Sequence, residues 1–345
     1  MNIYIPSSSI LVSPTHHSAS SNPQPNMTLH HHHGLFFVAL AILYFFTISF
    51  PTISARSFPT PSISHMHKHK SWEGFHNFTN SRPGQTHKDL STVKNYFHRF
   101  GYIPNAPPTN FTDVFDETLV YAIQTYQKNY HLNVTGELDN NTVKHMTHPR
   151  CGVPDIIHTK MRNSTTVHFH MGSLYSFFEG YPRWPEGTNQ LTYAFLPENQ
   201  LHDDYKSAIA SAFNQWTPVV KIAFEETSSY EMANIKVAFF QGYHGDDSPF
   251  DGPMGELAHS FAPTDGRFHL DADEYWMASG DVTTSPVERA MDLETVAVHE
   301  IGHLLGLGHS SDQNAIMYPL ISSRVKKVDL TSDDIEGIRE LYGIN

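Results

Sequence analysis

The sequence predicts an α+β fold in two domains, a small helical one over residues 86–148 and a larger mixed one over 179–345. Three observations carry this. In the front half, apolar residues recur at helical spacing. In the back half, short β-branched and aromatic runs alternate with longer helical periods. The back half also contains His299-Glu300-Ile301-Gly302-His303-Leu304-Leu305-Gly306-Leu307-Gly308-His309, a helix-then-turn pattern that brings three imidazoles to one place.

Taken in order, the chain begins with a leader over 1–55. Leu35 to Phe50 is an apolar run too short for a comfortable membrane span. Small residues follow near Ser54 and Ala55, as in a cleavable secretory leader. The run starts late and no Lys or Arg precedes it, so a start at Met27 rather than Met1 gives a more usual leader, with His30 to His33 in its polar front. The alternative is an uncleaved membrane anchor. Residues 56–85 are rich in Ser, Pro, His and Asn and read as a low-complexity linker. His65, His67 and His69 there suit a solvated basic patch better than a metal site.

Leu90, Val93, Phe97 and Phe100 mark one helix, and Leu119, Ala122, Ile123 and Tyr126 a second with Asp116 as its cap. Asn133 to Gly136 is a turn, and Leu138 to Met146 a short third helix. In the larger domain Leu191 to Phe195, Ile222 to Phe224 and Ile235 to Phe240 read as strands. Tyr205, Ile209, Phe213 and Trp216 line one helix face. A helix over 293–305 carries the histidine motif. A last helix over 329–342 has Thr331 as its cap and Glu336 and Arg339 outside.

Acidic residues exceed basic ones by thirteen, which argues against a nucleic-acid partner. The single cysteine, Cys151, excludes an internal disulfide and leaves a free thiol to explain. Asn77, Asn110, Asn133, Asn140 and Asn163 are glycosylation acceptors beyond the leader, all before the larger domain. That asymmetry suits a secreted precursor with a disposable front half.

The chemistry sits in the histidine motif. His299 and His303, four apart, share one helix face. Gly306 permits the helix to stop, and the returning chain brings His309 as a third zinc ligand. A fourth position left open is the mark of a catalytic zinc rather than a structural one. Glu300, beside the first ligand, points at that position as general base, and zinc-activated water then attacks a peptide carbonyl. Surface histidines on an ordinary helix are the bland alternative; Gly306 and His309 at their set spacing make that accident rare. His244 and Asp246 alternate and so point the same way. With His259 and His269 they make a second, closed zinc site, or else are scattered loop histidines. Asp251, Asp271 and Glu274 are hard oxygen donors suited to calcium, or a solvated acidic loop.

These motifs resemble the metzincin pattern, and the Met-turn at Ala315 to Pro319, with Met317 under the site, resembles its matrixin branch. The likeness runs from about His87 to the end of the chain. It implies a twisted five-stranded mixed sheet with three helices, preceded by a three-helix propeptide similar to peptidoglycan-binding domains. Pro149 to Asp155 resembles the matrixin cysteine switch, which implies Cys151 on the zinc of a latent zymogen and an Arg150–Asp155 pair. Residues 149–178 would hold that switch and the linker cut on activation. The resemblance also implies the structural zinc at His244, Asp246, His259 and His269. It adds the carbonyls of Gly252, Met254 and Glu256 to the calcium set, for two zinc ions and at least one calcium. Asn234 and Arg267 stand where a second calcium would need aspartates, so that ion is expected to be absent, with Arg267 supplying charge instead. Leu257-Ala258 is expected to pair with substrate. The segment after Pro319 is expected to line a specificity pocket. The chain stops after its last helix, as in the short plant matrixins without a hemopexin domain.

The expected protein is a secreted, monomeric endopeptidase of the plant apoplast or cell wall. It acts on extracellular proteins or peptides and needs an activating protease. A non-catalytic polysaccharide-binding protein with a structural zinc is the alternative from another class; the intact Glu300 argues against it.

Overall fold

The computed structural model describes residues 72–105, 110–157 and 174–344. The leader, most of the linker with His65, His67 and His69, Asn163 and most of the activation segment lie outside the described residues.

The helical domain is built from α1 (Ser91–Arg99), α2 (Glu117–Asn129) and α3 (Asn140–Met146). Asp116 and Asp139 cap the latter two by accepting from Leu119 N and Thr142 N. The expected linker extends less far than the sequence suggests. Trp72–Phe78 forms a 3-10 helix that buries Phe75 and Phe78 in this domain's core, beside Val93, Phe97, Ile123 and Tyr126. Two phenylalanines among polar residues were too few to show a period.

The chain then enters β1 (Arg150–Cys151). The larger domain follows with β2 (Gln190–Phe195), α4 (Asp203–Val220), β3 (Ala223–Glu226), β4 (Ile235–Phe240), β5 (Glu256–Ser260), β6 (Arg267–Asp271), β7 (Trp276–Met277), β8 (Met291–Asp292), α5 (Leu293–Leu304) and α6 (Ser332–Tyr342). The main sheet has six strands in the order β1-β5-β6-β4-β2-β3. Five come from the larger domain, as expected; the sixth, β1, is contributed by the preceding segment. β5 is antiparallel to β6 and parallel to β1, and the other pairs in this sheet are parallel, so the sheet is mixed.

α4 and α5 pack on this sheet through Ile209, Phe213, Trp216, Val298 and Ile301. The indole of Trp216 donates to Val298 O at 2.8 Å, so the largest core side chain leaves no polar atom unmatched. Close packing fixes Gly302. A Cβ there would stand 2.2 Å from Met317 Sδ and 3.1 Å from the Trp216 ring. Gly302→Ala should therefore lose about 1–3 kcal/mol of stability through overpacking, read as a lower thermal midpoint. An unchanged midpoint would mean that Met317 is free to move aside.

Residues 174–177, expected in the activation linker, are stitched to the larger domain instead. Gly308 N donates to Ser176 O, Ser311 N to Leu174 O, and Phe177 bridges to Leu307.

Candidate active site

α5 delivers the motif as its spacing predicted. Asp292 caps the helix by accepting from Thr295 N at 2.8 Å, and the helix ends at Leu304. Gly306 then takes φ +104°, where a Cβ would also lie 2.1 Å from Pro182 O. The turn carries His309 back beside the helix, and all three imidazoles are buried.

The outer ring nitrogens settle which way each imidazole faces. His299 Nδ1 donates to Ile316 O at 2.7 Å and His303 Nδ1 to Leu307 O at 2.8 Å. His309 Nδ1 donates to Asp155 Oδ1 at 2.8 Å. Carbonyls and carboxylates only accept, so each Nε2 presents a lone pair inward. Two of these, on His299 and His303, lie 3.1 Å apart, and His309 Nε2 has no partner. Lone pairs that close repel unless a cation stands between them. Burial acts in the same direction, holding His299 neutral with its pKa lowered to about 3. The donor set fits zinc.

Cys151 Sγ completes the cluster, 3.4 Å from His303 Nε2, and the four donor atoms lie within 4.8 Å of one another. Burial and the neighbouring Glu300 push this thiol well above its ordinary pKa, so only a cation at this point would favour the thiolate. Glu300 is fully buried, and neither of its oxygens has a hydrogen-bond partner. Burial raises its pKa to about 7.

The loop after Cys151 is held by Arg150. Its guanidinium pairs with Asp155 Oδ1 at 2.5 Å, donates to Tyr96 OH at 3.1 Å and lies 3.5 Å over Phe100. Tyr102 OH donates to the second Asp155 oxygen at 2.8 Å. Burial opposes ionisation of Asp155, yet Arg150 and His309 hold its carboxyl far below the usual range. Below the histidines, Asp334 accepts from Ile316 N at 2.9 Å and Met317 N at 3.0 Å, clamping the Met-turn to the start of α6. A pocket opens beside Glu300, lined among others by Leu257, Val296, Ile316, Tyr318, Leu320 and Lys327.

His244, Asp246, His259 and His269 form a second cluster of donors within 4.8 Å of one another. Asp246 Oδ2 lies 2.7–2.9 Å from a ring nitrogen of each histidine. The phenyl rings of Phe240 and Phe250 both stack on His244. Nearby, Asp251 Oδ2, Asp271 Oδ2 and both Glu274 oxygens are buried without partners. Burial, and after it the neighbouring carboxylates, raise these acids, Asp251 and Glu274 to about 8 and Asp271 to about 6. Four orphaned carboxylate oxygens are what a hard cation would satisfy. Gly252 and Met254, whose carbonyls were expected in this set, lie in the same loop at φ +85° and +65°. Arg267 pairs with Asp265 at 2.6 Å and lies 3.6 Å over Phe261, while Asn234 Oδ1 accepts from Thr192 N at 2.9 Å.

Asn77, Asn110, Asn133 and Asn140 are all exposed on the helical domain. Another contact of that domain with the site region escaped sequence reading. His145 of α3 sits between Tyr126 OH at 2.7 Å and Tyr318 OH at 2.8 Å, one tyrosine from each domain. Its pKa is lowered to about 4, first by burial and then by His148 and Arg150. The docked form thus binds fewer protons than a solvated histidine of pKa ~6.5, and its stability is lost as pH falls from about 6.5 toward about 4. Substituting His145→Gln should flatten the precursor's melting temperature against pH in that window; an unchanged slope would assign it to other groups.

A buried cluster of three inward-facing histidines with an unpartnered carboxylate beside it suits a catalytic zinc. Comparison with known proteins gives the family. The matrixin model matches residues 183–343, and that of a putative peptidoglycan binding domain matches 86–146. Metalloendoproteinase 1 of Glycine max is 61% identical over 321 residues, covering 92% of this chain and 100% of its own. Metalloendoproteinase 2-MMP of Arabidopsis thaliana is 49% identical, covering 79% and 76%. Neutrophil collagenase of Homo sapiens is 36% identical, covering 75% and 51%. The chain belongs to the matrixin family: it is a protein-cleaving hydrolase that works with zinc. The polysaccharide-binding alternative falls with that assignment. No helix among the described residues is long and apolar enough to cross a membrane.

Proposed function

We propose that this protein is secreted into the plant cell wall space as a cysteine-switched zymogen that cleaves extracellular proteins once its front segment is removed. His299, His303 and His309 hold the catalytic zinc, and Cys151 fills the remaining position in the precursor. The observation that carries this reading is the convergence of Cys151 Sγ with three inward-facing imidazole nitrogens beside an unpartnered Glu300.

When bound, zinc supplies Lewis acidity toward water and the scissile carbonyl. The chain's own residues do the rest. Glu300 accepts the proton of the attacking water and returns it to the leaving amine. Asp155 and the carbonyls of Ile316 and Leu307 fix the imidazoles in the ligating tautomer in the precursor. Leu257-Ala258 on β5 pairs backbone to backbone with an extended substrate, along the line β1 occupies in the latent form. Its side chain enters the pocket between Val296 and Leu320. His244, Asp246, His259 and His269 hold a structural zinc, and Asp251, Asp271 and Glu274 with the carbonyls of Gly252, Met254 and Glu256 hold calcium. The enzyme acts as a monomer, and a separate protease starts its activation.

Metal analysis of the activated enzyme after gel filtration should find two zinc ions and at least one calcium per chain, and chelation should abolish peptide cleavage. A zinc stoichiometry of one would remove the structural site; activity that survives complete zinc removal would overturn the mechanism.

A further inference from the structure

Glu256, the first residue of β5, carries a carboxylate that the mechanism does not use. It is 2% exposed, yet the cover is borrowed. Its Oε1 accepts from His259 Nδ1 at 2.8 Å, which fixes the direction of the side chain. Its Oε2 accepts from Arg99 Nε at 2.7 Å and also from Arg99 Nη2, and Arg99 belongs to α1 of the helical domain. Gly152, just past β1, passes so close that a Cβ there would stand 1.8 Å from Oε1. The cation and the cover both come from the part of the chain that activation removes. Afterwards Glu256 keeps its bond from His259 and presents a bare oxygen to the cleft. An oriented carboxylate with one oxygen free is a receptor for a guanidinium or ammonium group. A peptide lying along β5 in place of β1 brings one of its residues to where Gly152 lay.

We propose that Glu256 is a specificity-determining residue of the mature cleft, selecting substrates with Arg or Lys at the position beside it, and that Arg99 fills this subsite in the precursor. The proposal rests on the reading of β5 as the substrate-pairing strand. Isolated charge in a half-desolvated cleft favours a cationic side chain over a neutral one by about tenfold or more.

The test uses the full chain, activated by proteolysis, and pairs of peptides differing only by Arg or Gln at one position on either side of the cleaved bond. Wild type should prefer Arg by about tenfold at one position, with a preference that shrinks as salt rises. Glu256→Gln, which keeps an acceptor for His259, should bring the ratio of kcat/KM to about one. Glu256→Lys should favour Glu over Gln at that same position. Each ratio is taken on one preparation, so partial unfolding of a variant cancels. Cleavage of neutral peptides with no preference for Arg at any position, or a preference that survives in Glu256→Gln, overturns the proposal alone. Failure to cleave any peptide overturns the proposed function, and this proposal with it.

Discussion

A Cys151→Ser precursor should cleave peptides, or process itself, without an activating protease. In the wild type, Sγ lies with three imidazole nitrogens inside a 4.8 Å cluster, where the hydrolytic water must stand. A serine hydroxyl keeps the loop geometry, because Arg150 and Asp155 still pair, but it is a far weaker ligand than a thiolate. The position therefore reopens with α5 undisturbed. A mercurial that caps the thiol should activate the wild type in the same way and leave the mutant unaffected. The rival account is obstruction by bulk, since β1 hydrogen-bonds to β5 on one side and to Pro319 on the other. If the mutant stays latent while its proteolytically activated form cleaves, bulk alone is responsible and the switch is not.

Glu300→Ala should leave an enzyme that folds and holds zinc, because all three histidines remain and the lost carboxylate has no hydrogen-bond partner to strand. Turnover of the activated form should nevertheless fall by at least ~10²–10⁴, the contribution of a positioned acid–base group. Acting as general base, this carboxyl should give the wild type an acid limb in its rate profile that the mutant lacks. Near-normal turnover in a folded, zinc-loaded mutant would exclude Glu300 from the proton transfers.

Much of this was legible because local rules and tertiary demands agree. The i, i+4 histidines, the Gly306 stop, the Asp116 and Thr331 caps and the strands at Leu191 to Phe195 and Ile235 to Phe240 were each read from local pattern, and each occurs. What was missed depends on partners distant in sequence. Nothing around Arg99 announces a partner 157 residues away, nor anything around His145 one 173 residues away. The sixth strand escaped for the same reason: Arg150-Cys151 is too short to show alternation and becomes a strand only because β5 offers it an edge. Trp72–Phe78 was hidden by its polar neighbours, and the stitched segment at 174–177 by the apparent need for a long exposed linker.

That borrowed strand carries a cost for the mature molecule. While β1 is in place, β5 is an interior strand, paired on both sides. Removing it turns β5 into a bare sheet edge whose N–H and C=O groups will accept any extended chain. The four described N-x-Thr positions, exposed on the helical domain, would take any hindering glycans away with the same segment. Concentrated activated enzyme should therefore self-associate or digest itself where the precursor remains dispersed, and a peptide lying along β5 should protect it against both.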